Sequence, residues 1–166
     1  ATAYADLAQN LTVYKNLKVF ALLYGVKNYK EKIEDLLSQF QISELRDKRI
    51  DSLSAGQKTR VNLCKSLIND PELLLLDEPT ASLDPAIAAH VREMLLNIQK
   101  KRRLTIIFTS HNMPEVEQMC RRVALLFKGE IYKTDTPKNL KEFLKVPSME
   151  EVFLKLAKGE LKEETA

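Results

Sequence analysis

The sequence predicts an α/β fold that follows an α-helical region. Two short segments with the apolar spacing of amphipathic helices come before any clear strand. From residue 73 onward, short apolar runs alternate with helical segments, beginning with LLLLD at 73–77. The chain has 166 residues, of which 45% are hydrophobic and 30% charged, and these values are ordinary for one globular protein.

The helical region is predicted to contain three helices. The first spans 12–24, with Thr12 as its N-cap and Gly25 at its end. The second spans about 30–40, and the third follows Gly56 and ends at the NDP sequence of 69–71. The inner face of the first helix is predicted to carry Leu17, Phe20, Ala21 and Tyr24.

The α/β region follows from the alternation of apolar runs and turn residues. Short continuous apolar runs are typical of strands that are buried on both faces. Gly129 predicts a hairpin turn between the last two strands. The predicted elements are a strand at 73–77, a helix at about 85–101, a strand at 104–110, a helix at about 113–120, strands at 122–127 and 130–135, a helix at 136–144 and a final helix from about 147 that ends in a frayed, charged tail.

Charge and hydropathy limit the function classes. The net charge is +3, from 26 basic and 23 acidic residues with the signs mixed, so no nucleic-acid partner is expected. No apolar run reaches the length needed to cross a bilayer, so we expect any membrane role to be peripheral. Cys64 and Cys120 indicate buried, reduced thiols of a cytosolic protein. The start, without Met or a signal peptide, suggests that the chain begins inside a longer reading frame.

The stretch SLSAGQKTR at 52–60 has two interpretations. Ser54 and Gln57 have the spacing of a capping box at an ordinary helix start. The Ser54 hydroxyl and the Gly56 amide could instead bind phosphate at the positive end of the same helix. The spacing alone leaves both interpretations open.

Two adjacent acids end the first strand. Neighbouring residues of an extended strand point to opposite faces, so Asp77 and Glu78 would serve different partners. Carboxylates at the end of a buried strand repel each other, and Mg²⁺ can offset that cost. The alternative is that both acids cap the turn that follows.

A second polar cluster, Ser110 and His111, follows the strand at 104–110. Ligands of parallel α/β sheets bind beyond the carboxyl ends of the strands, so His111 would lie near the acids. A single histidine after a strand is more often a surface residue, and His90 has only that interpretation.

Four motifs occur in order, namely LSAGQ at 53–57, LLLLDEP at 73–79, SLD at 82–84 and TSH at 109–111. This set closely resembles the ATP-binding cassette (ABC) family, in which the signature motif, the Walker B strand, the D-loop and the switch histidine follow in that order. Ala55 departs from the pattern, because the family usually has a second glycine there. The resemblance covers nearly the whole chain but only the later part of the family's domain.

The resemblance implies a role for each matching residue. Asp77 is expected to hold Mg²⁺ through water, and Glu78 to act as the base for the attacking water. His111 is expected to contact the γ-phosphate of ATP, and Asp84 to meet a partner subunit. The signature residues Ser54, Gly56 and Gln57 are expected to face ATP held by the other subunit, so both interpretations of the helix start would hold.

The implied fold is the second half of a P-loop NTPase (RecA-like) core with the ABC helical subdomain. The expected division is 1–70 for the helical subdomain with the signature helix, 71–145 for the second half of the catalytic core, and 146–166 for a C-terminal helical tail. The expected partners are a transmembrane permease and a second cassette, at the inner face of the cell membrane. SMEEVFLKLAKGE at 148–160 resembles the multidrug-export branch, although Lys15 and Asp135 depart from its usual residues.

The chain contains no Walker A sequence, Gly-x-x-x-x-Gly-Lys-Ser/Thr, because none of its four glycines has that setting. The expectation is therefore an ATPase subunit of an exporter, represented by an N-terminally truncated fragment that is inactive alone. Two alternatives stay open: an ABC ATPase of DNA repair or translation, and a non-catalytic remnant module.

Overall fold

The computed structural model describes residues 7–101 and 104–159 and divides into two compact units. Unit 1 is Ala1–Thr109 and unit 2 is Ser110–Ala166. The predicted order of helices and strands is confirmed in both units. The tail expected to fray, at 160–166, lies outside the described residues. The division at residues 70 and 145 stays a prediction.

Unit 1 begins with the predicted helical region. Its helices are α1 (Val13–Leu23), α2 (Tyr29–Gln39) and α3 (Ala55–Leu67), with two 3₁₀ turns at Ser43–Leu45 and Ile50–Ser52 between α2 and α3. The Thr12 hydroxyl accepts a hydrogen bond from the Lys15 amide at 3.2 Å, which confirms the predicted N-cap of α1. The placement of Tyr24 on the inner face was wrong, because this residue follows the last turn of α1 and is 55% exposed.

The core of unit 1 lies among these helices. Its largest fully buried side chains are Leu17, Ile33, Leu37, Phe40, Ile42, Leu45, Ile50, Leu63, Leu67, Ile68 and Leu95. Lys32 of α2 is also buried, and its ammonium lies 2.5 Å from a carboxylate oxygen of Asp70. This ion pair ties α2 to the turn after α3, where Asp70 has a φ of 48°.

The sheet of unit 1 has two parallel strands among the described residues. They are β1 (Leu73–Asp77) and β2 (Thr105–Thr109), and α4 (Pro85–Lys101) connects them. Leu74 and Leu76 are buried. The expectation of burial on both faces was wrong, since the alternate side chains Leu73, Leu75 and Ile107 are 50–58% exposed. Each strand is covered on one side only by the part of the chain that the structure describes.

Unit 2 is built around an antiparallel hairpin. Its elements are α5 (Met113–Met119), β3 (Val123–Phe127), β4 (Glu130–Asp135), α6 (Pro137–Leu144) and α7 (Met149–Lys158). Lys128 and Gly129 both have positive φ, as a two-residue turn of type I′ requires, which confirms the predicted hairpin. The core of unit 2 contains Met113, Val116, Leu125, Leu140, Leu144, Met149, Val152 and Leu156.

Candidate functional site

The start of α3 is a complete capping box. The Ser54 hydroxyl accepts a hydrogen bond from the Gln57 amide at 3.3 Å, and the Gln57 side-chain carbonyl accepts one from the Ser54 amide at 3.0 Å. Ser54 is exposed, and its hydroxyl still has a proton to donate, because a hydroxyl can accept and donate at the same time. The structural interpretation of this helix start is therefore confirmed, and it leaves the hydroxyl able to bind an anion.

Gly56 lies against the loop between β1 and α4. A Cβ atom on Gly56 would lie 3.0 Å from the Ser82 carbonyl oxygen and 3.4 Å from a methyl carbon of Leu83. One turn further along α3, the buried Thr59 hydroxyl lies 2.7 Å from the Ser82 hydroxyl. The start of α3 is therefore in direct contact with the SLD loop of the same chain, at 82–84.

Asp77 is the last residue of β1 and pairs with Thr109, the last residue of β2. The Thr109 hydroxyl donates a hydrogen bond to the Oδ1 atom of Asp77. Asp77 and Thr109 are both exposed, at the carboxyl end of the parallel strands. This is the edge of the sheet where ligands of α/β proteins bind.

Glu78 does not continue the strand. Its φ is 44°, in the left-handed region that residues other than glycine rarely adopt. Its amide donates to the carbonyl oxygen and to the hydroxyl oxygen of Thr109, each at 3.2 Å. The prediction that Asp77 and Glu78 point to opposite faces assumed an extended strand, and that assumption was wrong because the chain turns at Glu78.

Asp84 caps the next helix. Its Oδ1 atom accepts hydrogen bonds from the amides of Ala86 and Ile87, each at 3.1 Å, at the start of α4. Pro85 is the first residue of α4, a position that suits proline because the missing amide has no partner there. Asp84 therefore has a structural role within its own chain, and its contact with a partner subunit stays a prediction.

His111 lies in unit 2, in the exposed turn that precedes α5. The residues on either side of it are held by the buried Glu115, whose carboxylate accepts a hydrogen bond from the Ser110 hydroxyl at 2.8 Å. Asn112 caps α5 through the Glu115 amide at 3.2 Å, and its own amide donates to the Ser110 hydroxyl at 3.1 Å. Because the acids belong to unit 1, their closeness to His111 stays a prediction.

Sequence reasoning assigned no role to four residues that organise these groups, two of which, Ser82 and Thr109, lie within the SLD and TSH motifs: Thr59, Ser82, Thr109 and Glu115. The spacing of Asn112 and Glu115 could have indicated a helix cap. The other three depend on strand register or on contacts between distant segments, for which the sequence carries no signal.

The two cysteines are free thiols among the described residues. Burial raises the pKa of the Cys64 thiol, and it raises that of the half-buried Cys120 thiol, to which the charge of Glu115 adds. The predicted burial is confirmed for Cys64 and holds in part for Cys120. Both shifts disfavour the reactive thiolate at neutral pH.

No group of three or more histidine, cysteine or acidic side chains that could hold a metal occurs among residues 7–101 and 104–159. No helix in the described part of the chain combines the length and the apolar character that crossing a membrane requires.

Comparisons with known proteins agree with the motifs. A family model described as "ABC transporter" matches residues 2–81. The chain is 33% identical over 137 residues to the methionine import ATP-binding protein MetN 1 of Staphylococcus epidermidis, covering 81% of this chain and 40% of that protein. It is 31% identical over 156 residues to the ABC transporter ATP-binding protein NatA of Bacillus subtilis, covering 92% of this chain and 63% of that protein. The chain thus spans less than two thirds of these relatives.

One similar solved structure is described as the ATP-binding subunit of an ABC transporter. The superposition covers 95% of this chain and 68% of the chain in that structure. The TM-score is 0.84 at 22% sequence identity, so this likeness concerns the fold. It confirms the expected fold class, a partial P-loop NTPase core of the ABC type with mixed helices and strands.

Proposed function

We propose, from the premise that this chain carries an ABC transporter ATP-binding domain, that the complete protein hydrolyses ATP to drive a membrane transporter. The observation that carries the proposal is the arrangement at the end of β1, where Asp77 and Glu78 are both held by Thr109 at the carboxyl edge of parallel strands. An ATP-hydrolysing site needs a fixed acid for the cation and a fixed base for water.

The residues at this edge fit Mg²⁺. The ion usually takes one or two carboxylates and keeps several water molecules, so three protein ligands are not needed. Asp77 is exposed, and the hydrogen bond from Thr109 fixes its carboxylate. Asp77 would hold the ion through water, and the bound ion would neutralise charge on the phosphates of ATP.

Glu78 would act as the general base. Its carboxylate would accept a proton from the water that attacks the γ-phosphorus, and the bond from that phosphorus to the bridging oxygen of ADP would break. His111 would donate a hydrogen bond to the γ-phosphate and so stabilise the charge that moves onto it. These two roles follow from the match to the family's motifs.

The start of α3 would serve ATP bound by a second copy of the domain. The first amides of a helix have no partner within the helix, and the helix dipole favours an anion at this end. The Ser54 hydroxyl and the Gly56 amide would donate to a γ-phosphate, and the capping box of Gln57 would hold Ser54 in place. Asp84, in the adjoining loop, would contact the same partner.

The remaining partners are proposed from the family. A transmembrane permease would receive the movement of the paired domains, so this chain would act at the cytoplasmic face of the membrane. We propose export, because the sequence at 148–160 resembles the multidrug-export branch. The name of one relative describes methionine import, so the opposite direction is the alternative to be tested.

Residues 1–166 contain no Walker A sequence, whose backbone amides and lysine hold the phosphates of ATP in this family. The 166-residue chain should therefore bind Mg-ATP weakly and hydrolyse none. Each lost charge-assisted contact is worth about 1.5 to 3 kcal/mol, so losing several weakens binding by orders of magnitude. Titration calorimetry that gave micromolar binding would refute this part of the proposal.

The test of the proposed function uses the full-length protein with Glu78→Gln, which keeps the shape of the side chain and removes the base. This variant should form an ATP-dependent dimer in analytical ultracentrifugation, because bound ATP is no longer consumed. Adding Ser54→Ala should weaken the dimer but not ATP binding by the monomer. Thr12→Ala, which removes the N-cap of α1, is the matched control and should leave the dimer unchanged. A dimer insensitive to ATP would contradict the proposal.

A further inference from the structure

We propose that Thr109 is a positioning residue for ATP hydrolysis, which sets the carboxylate of Asp77 and the backbone of Glu78 at once. The inference rests on the proposed function of the Asp77 and Glu78 site. Thr109 is distinct from the two acids, the signature motif and the switch histidine, and its role would be to orient Asp77 and Glu78.

The hydroxyl group of Thr109 takes part in two hydrogen bonds at once. A threonine hydroxyl has one proton to donate and lone pairs to accept. The Thr109 hydroxyl donates its proton to Oδ1 of Asp77 and accepts from the Glu78 amide at 3.2 Å. The two bonds use the opposite capacities of the same oxygen atom, so both can form together.

The register of β1 and β2 brings Asp77, Glu78 and Thr109 together. Asp77 and Thr109 are partners in the parallel ladder, and they are its last pair. The Thr109 carbonyl oxygen also accepts from the Glu78 amide, at 3.2 Å. Thr109 therefore contacts the first acid through its side chain and the second acid through both its side chain and its backbone.

The backbone of Glu78 is strained. A φ of 44° is unfavourable for a residue with a Cβ atom and persists only where neighbouring groups hold it. The Glu78 amide is held at that turn by two acceptors, both from Thr109. Removing the Thr109 hydroxyl would leave the Thr109 carbonyl oxygen as the acceptor from this residue for the Glu78 amide. The orientation of the Glu78 side chain would then be less well fixed.

The hydrogen bond between Thr109 and Asp77 lies at the surface of the protein. Thr109 and Asp77 are exposed, so a hydrogen bond between them adds little to the buried core. The main effect of this hydrogen bond is to orient the Asp77 carboxylate. Thr105 offers a comparison, because it lies on the same face of β2, is also exposed and begins the strand that Thr109 ends.

The experiment compares Thr109→Val, Thr109→Ser and Thr105→Val in the full-length protein, with Glu78→Gln as the reference for lost chemistry. Valine keeps the shape and β-branching of threonine but removes both bonds, whereas serine keeps the hydroxyl. We expect Thr109→Val to lower kcat by about tenfold or more and to raise the Mg²⁺ concentration that gives half of the maximal rate. Thr109→Ser and Thr105→Val should stay within about threefold of the wild type in both measurements.

Two results would overturn the role of Thr109 and leave the proposed function standing. The first is a Thr109→Val enzyme with wild-type kcat and Mg²⁺ dependence while Glu78→Gln is inactive. The second is an equal loss of kcat in Thr109→Val and Thr109→Ser. A wild-type protein without ATP turnover, or a Glu78→Gln variant as active as the wild type, would instead overturn the proposed function and this inference with it. If Thr109→Val does not fold, Thr109→Ala replaces it; a loss in Thr109→Ala that Thr109→Ser does not share supports the proposal, and equal losses in both overturn it.

Discussion

Gly56 lies so close to Ser82 that a Cβ atom on Gly56 would be 3.0 Å from the Ser82 carbonyl oxygen. Few real Cβ atoms approach a neighbour so closely, and a backbone carbonyl cannot rotate away as a side chain can. A side chain at position 56 would clash with the SLD loop of its own chain even in the absence of a partner. Variants at Gly56 therefore change this internal contact as well as any proposed dimer contact.

The first prediction concerns Gly56→Ala. Alanine in a helix is usually about 1 kcal/mol more stable than glycine, but here the methyl group must displace the Ser82 backbone. We expect no gain in the free energy of unfolding, measured with urea, and a net loss if the loop yields poorly. Ala55→Gly, at the neighbouring exposed position, gives the helix-propensity effect alone. A gain in Gly56→Ala equal to the loss in Ala55→Gly would contradict the close contact.

The second prediction concerns the ion pair of Lys32 and Asp70. Lys32 is 9% exposed and Asp70 is 52% exposed, so losing the aspartate leaves a mostly buried ammonium with a weaker partner. Asparagine tolerates the left-handed backbone at position 70, which isolates the effect of charge. We expect Asp70→Asn to lower the free energy of unfolding by about 1 to 3 kcal/mol.

The double variant Lys32→Met with Asp70→Asn is the control for that prediction. Methionine can fill the buried site without a charge, so the double variant should be more stable than Asp70→Asn alone. A coupling free energy below about 0.3 kcal/mol between the two positions would show that the pair does not act as a unit.

The sequence predicted the order of the elements because their boundaries carry local signals. Thr12, Ser54 and Gly129 mark a helix start, a capping box and a hairpin turn, and each confirmed prediction depends on a few neighbouring residues. The burial of β1 was predicted wrongly because an apolar run does not reveal how many faces are covered.

The candidate site was predictable only in part, for the same reason. Asp77 and Glu78 stand out as acids after an apolar run. The hydrogen bonds of Thr109 to both require the register of β1 and β2, and the turn at Glu78 requires the backbone angles. The contact of Gly56 with Ser82 joins segments 26 residues apart, and no local pattern indicates it.

The third prediction concerns pH and Asp135, the last residue of β4. The amide of Thr136 at 2.7 Å, followed by the side chain of Asn139, lowers the pKa of the Asp135 carboxyl. A lowered pKa means that the folded state favours the ionised form. The resulting stability is present above the unfolded pKa of about 3.9 and is lost as the pH falls through the folded value.

Asp135→Ala should therefore lower the urea midpoint of unfolding at pH 7, and the difference from the wild type should shrink at pH 3. Glu130→Ala, which removes an exposed carboxylate from the same strand, is the control for the loss of one surface charge. A difference for Asp135→Ala that is equal at both pH values would exclude the ionised carboxylate as its cause.

The fourth prediction concerns the thiols. Cys64 is fully buried and its pKa is raised, so it should resist iodoacetamide in the folded protein at pH 7.5. Cys120 is half buried, and its raised pKa should make it slower than a free thiol but faster than Cys64. Mass spectrometry of peptides after timed alkylation measures both rates, and urea should make them similar. Faster labelling of Cys64 in the folded state would contradict its burial.

The central claim is that Glu78 is the base for ATP hydrolysis, and steady-state phosphate release by the full-length protein tests it most directly. Glu78→Gln should lower kcat by about a hundredfold or more while the affinity for ATP stays near that of the wild type. Glu72→Gln, which neutralises an exposed acid just before β1, should leave kcat unchanged. A Glu78→Gln enzyme whose kcat stayed within about threefold of the wild type would contradict the account.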